Sequence, residues 1–328
     1  MTKSGNPFAM SILVFQHEKD EPSAVLGQFL QQRGHKLVTV PLHHPDSHVP
    51  EDLDGITGLV VMGGSMNVDE QASYPWMKPE MDMIKAAYDK GLPMVGVCLG
   101  AQLIAASLGG EVAKMESPEI GWQNVKLAFP GTTDAVLAGQ AWDSMQFHLH
   151  GQEVTKLPPD GVPLAGSAAC KNQAFRVGMT CYCFQYHFEW NQSQLAYYAK
   201  SHFATSNGGD SDAIIAQCDE HYHNYRRRGD RLARVRVRGH RGVDVALHAL
   251  SEDLEAAPLA LARALAALAV AKVGVGDGEL LERLELADAL NDLQALTNVP
   301  VRQRDEVQRL ISELEEALPA VDDQNVLS

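Results

Sequence analysis

The stretch Gly91–Gly110 reads GLPMVGVCLGAQLIAASLGG. A Gly-Leu-Pro turn leads into the apolar run Met94–Val97, Cys98 follows, and Leu103, Ile104 and Leu108 then recur at helical spacing. The pattern predicts a strand, a sharp turn and a helix, with the cysteine at the apex. Gly96 and Gly100 stand two residues to either side of it. Only small residues there let strand and helix pass closely while the apical residue holds a strained backbone conformation. At the helix N-terminus, unpaired amides and the positive end of the dipole favour a thiolate and cradle a developing oxyanion.

Outward from this elbow the chain alternates. Ser11–Phe15, Lys36–Pro41, Leu59–Met62 and Met94–Val97 read as apolar strands, with helices expected over Ala24–Arg33 and Trp76–Lys90. Strands separated by helices pair in parallel through right-handed crossovers, so the fold class is α/β with a mostly parallel central sheet and flanking helices. Past Gly110 the pattern changes to short strands with turns between them: Gly121–Phe129, Met145–His148, Val162–Ala168, Gln173–Val177 and Met179–Tyr186. These read as antiparallel additions. Helices are expected over Asn191–Phe203 and Asp210–Arg228, opened by Asn191 and Asp210. The first domain is placed at 1–239. An Ala/Leu/Glu-rich, all-helical extension is placed at 240–328, with apolar faces that suit a homodimer.

The 328-residue chain is 45% hydrophobic, with a formal net charge of −15. That charge argues against nucleic acid as a partner. The run Arg226–Arg241 carries eight arginines against one aspartate; solvated helix faces, or docking to the acidic C-terminal helices, explain such a run. Five cysteines form no regular framework, which suits a reducing compartment. No signal peptide and no spanning apolar run of about 18 residues is read, so the expected location is cytoplasmic, with no membrane partner.

A thiol nucleophile needs a base and a group to orient that base. In Gln185-Tyr186-His187-Phe188-Glu189, alternate residues of an extended segment share a face, so Glu189 can fix the His187 imidazole, alongside Gln185. Gly63 and Gly64, ending another strand, let backbone approach a substrate carbonyl and offer an N–H beside that of Leu99. Cys181 and Cys183 share the His187 face, but zinc sites need four ligands at other spacings; no metal and no cofactor is expected. His35, His43, His44, His48 and His150 read as surface or loop residues, and His17 and Glu18 as crevice-lining or solvated ones.

The segments VCLGAQ at 97–102, VMGGSMNV at 61–68 and QYHFEW at 185–190 together resemble class I glutamine amidotransferases. Tyr74-Pro75-Trp76, Glu119-Ile120-Gly121-Trp122, Phe147-His148 and Asn172-Gln173-Ala174-Phe175 narrow the resemblance to the stand-alone, GMP synthase-like branch. It covers roughly Ser11 to Gly239. It implies a flavodoxin-like amidotransferase fold and hydrolysis of the glutamine side-chain amide, or of a γ-glutamyl bond in glutathione-like peptides, through a thioester. Cys98 is then the nucleophile, His187 the proton carrier, Glu189 its orienting carboxylate, and Gly64 and Leu99 the oxyanion donors. Gly63, Gln102, His148 and Gln185 are expected around the substrate. Two departures stand out: Phe188 replaces the proline often found between the histidine and glutamate, and HLHGQ at 148–152 replaces a Trp-His-x-Asp pattern. No phosphate-binding ATP loop follows Gly239, so released ammonia is expected to pass to a separate synthetase subunit. The alternative is a regulatory or scaffolding protein that binds a glutamyl ligand without turning it over.

Overall fold

A computed structural model describes residues 10–233 and two short strands, Arg236–Arg238 and Asp244–Ala246, which pair antiparallel. The helical extension expected over 240–328 lies outside the described residues apart from 244–246, which are strand. Its use as a dimer surface is likewise outside them.

The strands β1 (Ser11–Gln16), β2 (Lys36–Pro41), β3 (Ile56–Val61) and β4 (Met94–Val97) carry the apolar runs read from the sequence, joined by α1 (Ala24–Gln32), α2 (Met77–Asp89) and other connections. They pair in parallel in the order β2-β1-β3-β4. The remaining strands are β5 (Glu111–Leu127), β6 (Asp143–Lys156), β7 (Gly161–Gly166), β8 (Ala174–Val177) and β9 (Cys181–Phe184). They extend the sheet beyond β4 in the order β9-β8-β7-β5-β6. The face under α1 buries Ile12, Val14, Leu26, Val60 and Phe184; the opposite face, under α2 and α3 (Leu99–Ser107), buries Leu13, Phe15, Leu59, Ile84 and Leu103. This is the α/β architecture that the sequence predicts.

One strand differs from its reading. Met179–Tyr186 reads as an antiparallel addition, and β9 is antiparallel to β8, but its other edge runs parallel to β4, with Val97 opposite Phe184. The tight turn through Gly178, at φ 58°, reverses the chain after β8. β9 thereby becomes the seam between the two halves of the sheet, and it brings its C-terminal end level with that of β4.

The elbow forms as expected. Cys98 takes φ 51° and ψ −109° at the start of α3, a left-handed φ that costs an L residue energy. A Cβ on Gly100 would collide with the Val61 carbonyl oxygen, and one on Gly96 would press on the backbone of Gly100 and Ala101. The two glycines therefore let α3 sit directly on the ends of β3 and β4.

The helical region after the site is broken into α5 (Gln192–Ala199) and α6 (His202–Ser206), followed by α7 (Ser211–Leu232); a short α4 (Phe129–Thr133) lies between β5 and β6. Asn191 opens α5 in a capping box with Gln194. Ser201, extended at ψ 155°, starts a new helix by accepting from the Ala204 amide, which divides the segment expected to be continuous. Asp210 caps α7. No helix among the described residues is long and apolar enough to cross a membrane.

Candidate active site

The C-terminal ends of β1, β3, β4 and β9 meet at one edge of the sheet, and the residues singled out in the sequence gather there. The Cys98 amide donates to the Phe184 carbonyl at 2.8 Å, tying the elbow to β9. Three residues beyond β9, the His187 amide donates to the Phe147 carbonyl of β6 at 2.9 Å, which holds that segment extended past the strand. His187 Nδ1 lies 2.8 Å from Glu189 Oε1, and the second carboxylate oxygen accepts from the Phe188 amide at 2.9 Å. Both side chains are buried. Burial disfavours the imidazolium, but the Glu189 charge and hydrogen bonds with Cys98 and Glu189 outweigh it and raise the His187 pKa well above its ordinary value. Phe188, standing where a proline is common, is buried edge-on against Phe184. A Cβ on Gly229 of α7 would strike its carbonyl oxygen, so that glycine lets the helix close over the segment.

Cys98 opens onto a cavity of about 1010 Å³ that Gly64, Leu99 and Gln102 also line. Gln102 Nε2 donates to Gln185 Oε1 at 3.1 Å and to the Gln152 carbonyl at 3.0 Å, while Gln185 Nε2 points to Cys98 Sγ at 3.8 Å. Gln185 is fully buried behind Gln102, so it braces the thiol from beneath. Gly63 does not line the cavity: a Cβ there would meet the Glu21 carboxylate and the His187 ring. His148 is also fully buried, turned toward Glu119 and His150 instead of the cavity.

Residues 22–203 match the family model described as glutamine amidotransferase class-I, more than half of the chain. The chain belongs to the class I glutamine amidotransferases. A subunit of the glutamine-hydrolyzing GMP synthase from Thermoplasma volcanium is 35% identical over 157 residues, which covers 45% of this chain and 72% of that one. Solved structures of glutamine amidotransferases from Methylobacillus flagellatus and Thermotoga maritima share the fold. They give TM-scores of 0.61 and 0.61 at 23% and 20% identity, each covering 68% of this chain and respectively 92% and 96% of theirs.

This amidotransferase places further residues at the site that the sequence reading missed or misjudged. Glu21, in the loop after β1, is buried with Oε1 3.7 Å from His187 Nε2. Burial, opposed by the His187 charge and reinforced by Glu189, pushes its carboxyl up to about 7. Trp190 stacks on the His187 ring at 3.6 Å and 15°, and Tyr198 stacks on Trp190 at 4.2 Å and 7°, a three-ring pile that fixes the imidazole plane. Only the proximity of Trp190 to His187 in sequence hints at it. His17 is neither crevice-lining nor solvated. It is fully buried, with Nδ1 3.0 Å from the Gly63 carbonyl and Nε2 2.9 Å from Glu80 of α2, so it anchors the Gly63-Gly64 turn. Burial works against its proton, and the Glu80 charge and hydrogen bond overcome that to raise its pKa. His150, read as a surface residue, is buried on β6, because β6 extends past His148 to Lys156. Cys181 and Cys183 lie wholly in the apolar core.

Proposed function

We propose that the protein hydrolyses the side-chain amide of glutamine through a thioester on Cys98. Cys98 Sγ attacks the amide carbon while His187 takes the thiol proton, and the resulting imidazolium is held by Glu189. The oxyanion is met by the backbone N–H groups of Gly64 and Leu99. His187 returns the proton to the departing nitrogen, the C–N bond breaks, and ammonia leaves a γ-glutamyl thioester. Water then attacks that thioester, giving up a proton to His187, and glutamate departs as the thiol re-forms. One observation carries this reading: a cysteine in a strained elbow opens onto the same edge as a buried imidazole oriented by a carboxylate 2.8 Å away. The GMP synthase relative supports a further step, in which ammonia passes to a separate synthetase subunit.

The cavity favours a second substrate within the same chemistry. At about 1010 Å³ it is far larger than one glutamine, and Tyr197, Tyr198, Phe203, Lys114 and Lys200 stand along it. That room suits a γ-glutamyl conjugate whose leaving group is longer than ammonia. Ammonia release from L-glutamine, run beside cleavage of γ-glutamyl peptides in wild type and Cys98→Ala, separates the readings. Turnover of glutamine that the variant loses supports the glutaminase, and cleavage of peptides alone supports the γ-glutamyl hydrolase. Binding of either without turnover, with the wild type no faster than Cys98→Ala, overturns the catalytic reading in favour of a binding protein.

A further inference from the structure

A second cluster of side chains, beside the Cys98 site but outside the chemistry above, turns three possible ligand atoms toward one another. On the β5–β6 ladder Glu119 pairs with His150 and Gly121 with His148, so both histidines project to the face that carries Glu119. All three are buried. Glu119 Oε2 lies 3.1 Å from His150 Nε2 and 3.8 Å from His148 Nδ1, and the two ring nitrogens are 3.3 Å apart.

The hydrogen bonds around the cluster fix which atoms face inward. His150 Nδ1 lies 3.0 Å from the Gln152 carbonyl, which only accepts, so Nδ1 carries a proton and Nε2 turns toward the other two groups. Ser167 Oγ donates to Glu119 Oε1 at 2.7 Å and Gln173 Nε2 donates to Oε2, which keeps a second lone pair for the cluster. A proton on His148 Nδ1 or His150 Nε2 turns one of the three inward-facing atoms into a donor to its neighbours. A metal ion takes a lone pair from all three at once.

The spacing fits such an ion. A tetrahedral zinc with bonds of about 2.0–2.2 Å sets its ligand atoms about 3.4 Å apart, and the three separations here bracket that value. A histidine that ligates through one nitrogen and donates the other N–H to a backbone carbonyl is the usual outer support of a zinc ligand, and His150 is held in this way. His150 and Gln152 line the cavity, which offers the ion a path and a water as fourth ligand.

We propose that Glu119, His148 and His150 bind one divalent cation of the zinc class. The ion pins β5 to β6 at Leu149, whose carbonyl accepts from the Cys98 thiol at 4.0 Å and which lies between the two histidines. The sequence offers only Cys181 and Cys183 as metal candidates, because the pairing of Glu119 with His150 depends on a register that shifts between Lys114 and Glu119.

The test is titration of the chelator-treated full chain with Co²⁺, followed by displacement with Zn²⁺. The expected result is one equivalent of Co²⁺ with the visible bands of a tetrahedral ion, displaced by one equivalent of Zn²⁺, and a rise in Tm with Zn²⁺. Cys98→Ala keeps the bands, which separates this site from a thiolate-bound ion. The near-isosteric Glu119→Gln loses at least tenfold in affinity while its far-UV circular dichroism stays native, and His148→Gln/His150→Gln loses the bands. Absence of bands in the wild type, their loss in Cys98→Ala, or unchanged affinity in folded Glu119→Gln each overturns the proposal.

Discussion

The two halves of the sheet contribute to the site by different means. In the parallel half, β1, β3, β4 and β9 stop at one level and each hands over a short segment: the Glu21 loop, Gly63-Gly64, Cys98, and Gln185 to Glu189. In the antiparallel half, β6 runs past the site, and its backbone supplies the Phe147 carbonyl to the His187 amide and the Leu149 carbonyl to the Cys98 thiol. The proposed chemistry sits at strand ends, where side chains are freed from the pleat, while the long β5–β6 ribbon acts as a wall. Tolerance to change should differ accordingly.

The largest effect expected is on turnover. Cys98→Ala should lower ammonia release by about 10⁴-fold or more, with the unfolding midpoint nearly unchanged; a residual rate within tenfold of the wild type would remove the parallel half's claim to the chemistry.

Next in size is a paired glycine experiment. Gly100→Ala drives a methyl into the Val61 carbonyl and should cost about 3 kcal/mol in urea unfolding, since backbone cannot yield there. Gly151→Ala, on β6, brings its Cβ to 3.3 Å from the rim of Phe203, a side chain 38% exposed and able to turn aside. Its cost should stay below about 1 kcal/mol. Equal costs would erase the contrast between the two halves.

The third prediction concerns pH. Folding raises the Glu21 carboxyl from 4.5 to about 7, so the folded chain holds a proton that the unfolded chain releases, and stability falls as pH climbs through that window. The raised His187 pKa adds stability that is complete below 6.5 and is lost as pH rises through the folded value. Glu21→Gln should abolish the first slope, leave the second, and stabilise the protein at pH 8 by about 3 kcal/mol. Urea midpoints from pH 4 to 9 check this, and an unchanged profile would mean that Glu21 is not held in the site as described. Smallest of all, Lys156→Ala removes the exposed pair with Glu111 at the far end of the β5–β6 ribbon and should change stability by less than about 0.5 kcal/mol.

The same division explains how much of the molecule is legible in its sequence. Cys98, Gly63-Gly64 and His187-x-Glu189 are legible because each lies within a few residues of a strand end, and local spacing fixes what faces what. The parallel strands and their helices are legible for the same reason, through hydrophobic runs and helical periodicity. Glu21 is not, since nothing in its surroundings in sequence marks it as a partner of a histidine 166 positions away. The parallel pairing of β9 with β4, the burial of His150 and the bond from His17 to Glu80 all depend on which strands and helices become neighbours, and composition carries no record of that.

The ring pile on His187 has an optical consequence. An indole in face contact with an imidazole loses emission when the imidazole gains a proton, so Trp190 reports the charge of the very group proposed to move protons. Two other tryptophans touch histidines, Trp76 on His17 at 5.1 Å and Trp122 edge-on to His221 at 5.4 Å, and both are silenced by phenylalanine. In the Trp76→Phe/Trp122→Phe/Trp142→Phe background, where Trp190 is the remaining tryptophan of the four in the sequence, fluorescence against pH follows His187 with no substrate present and no turnover required.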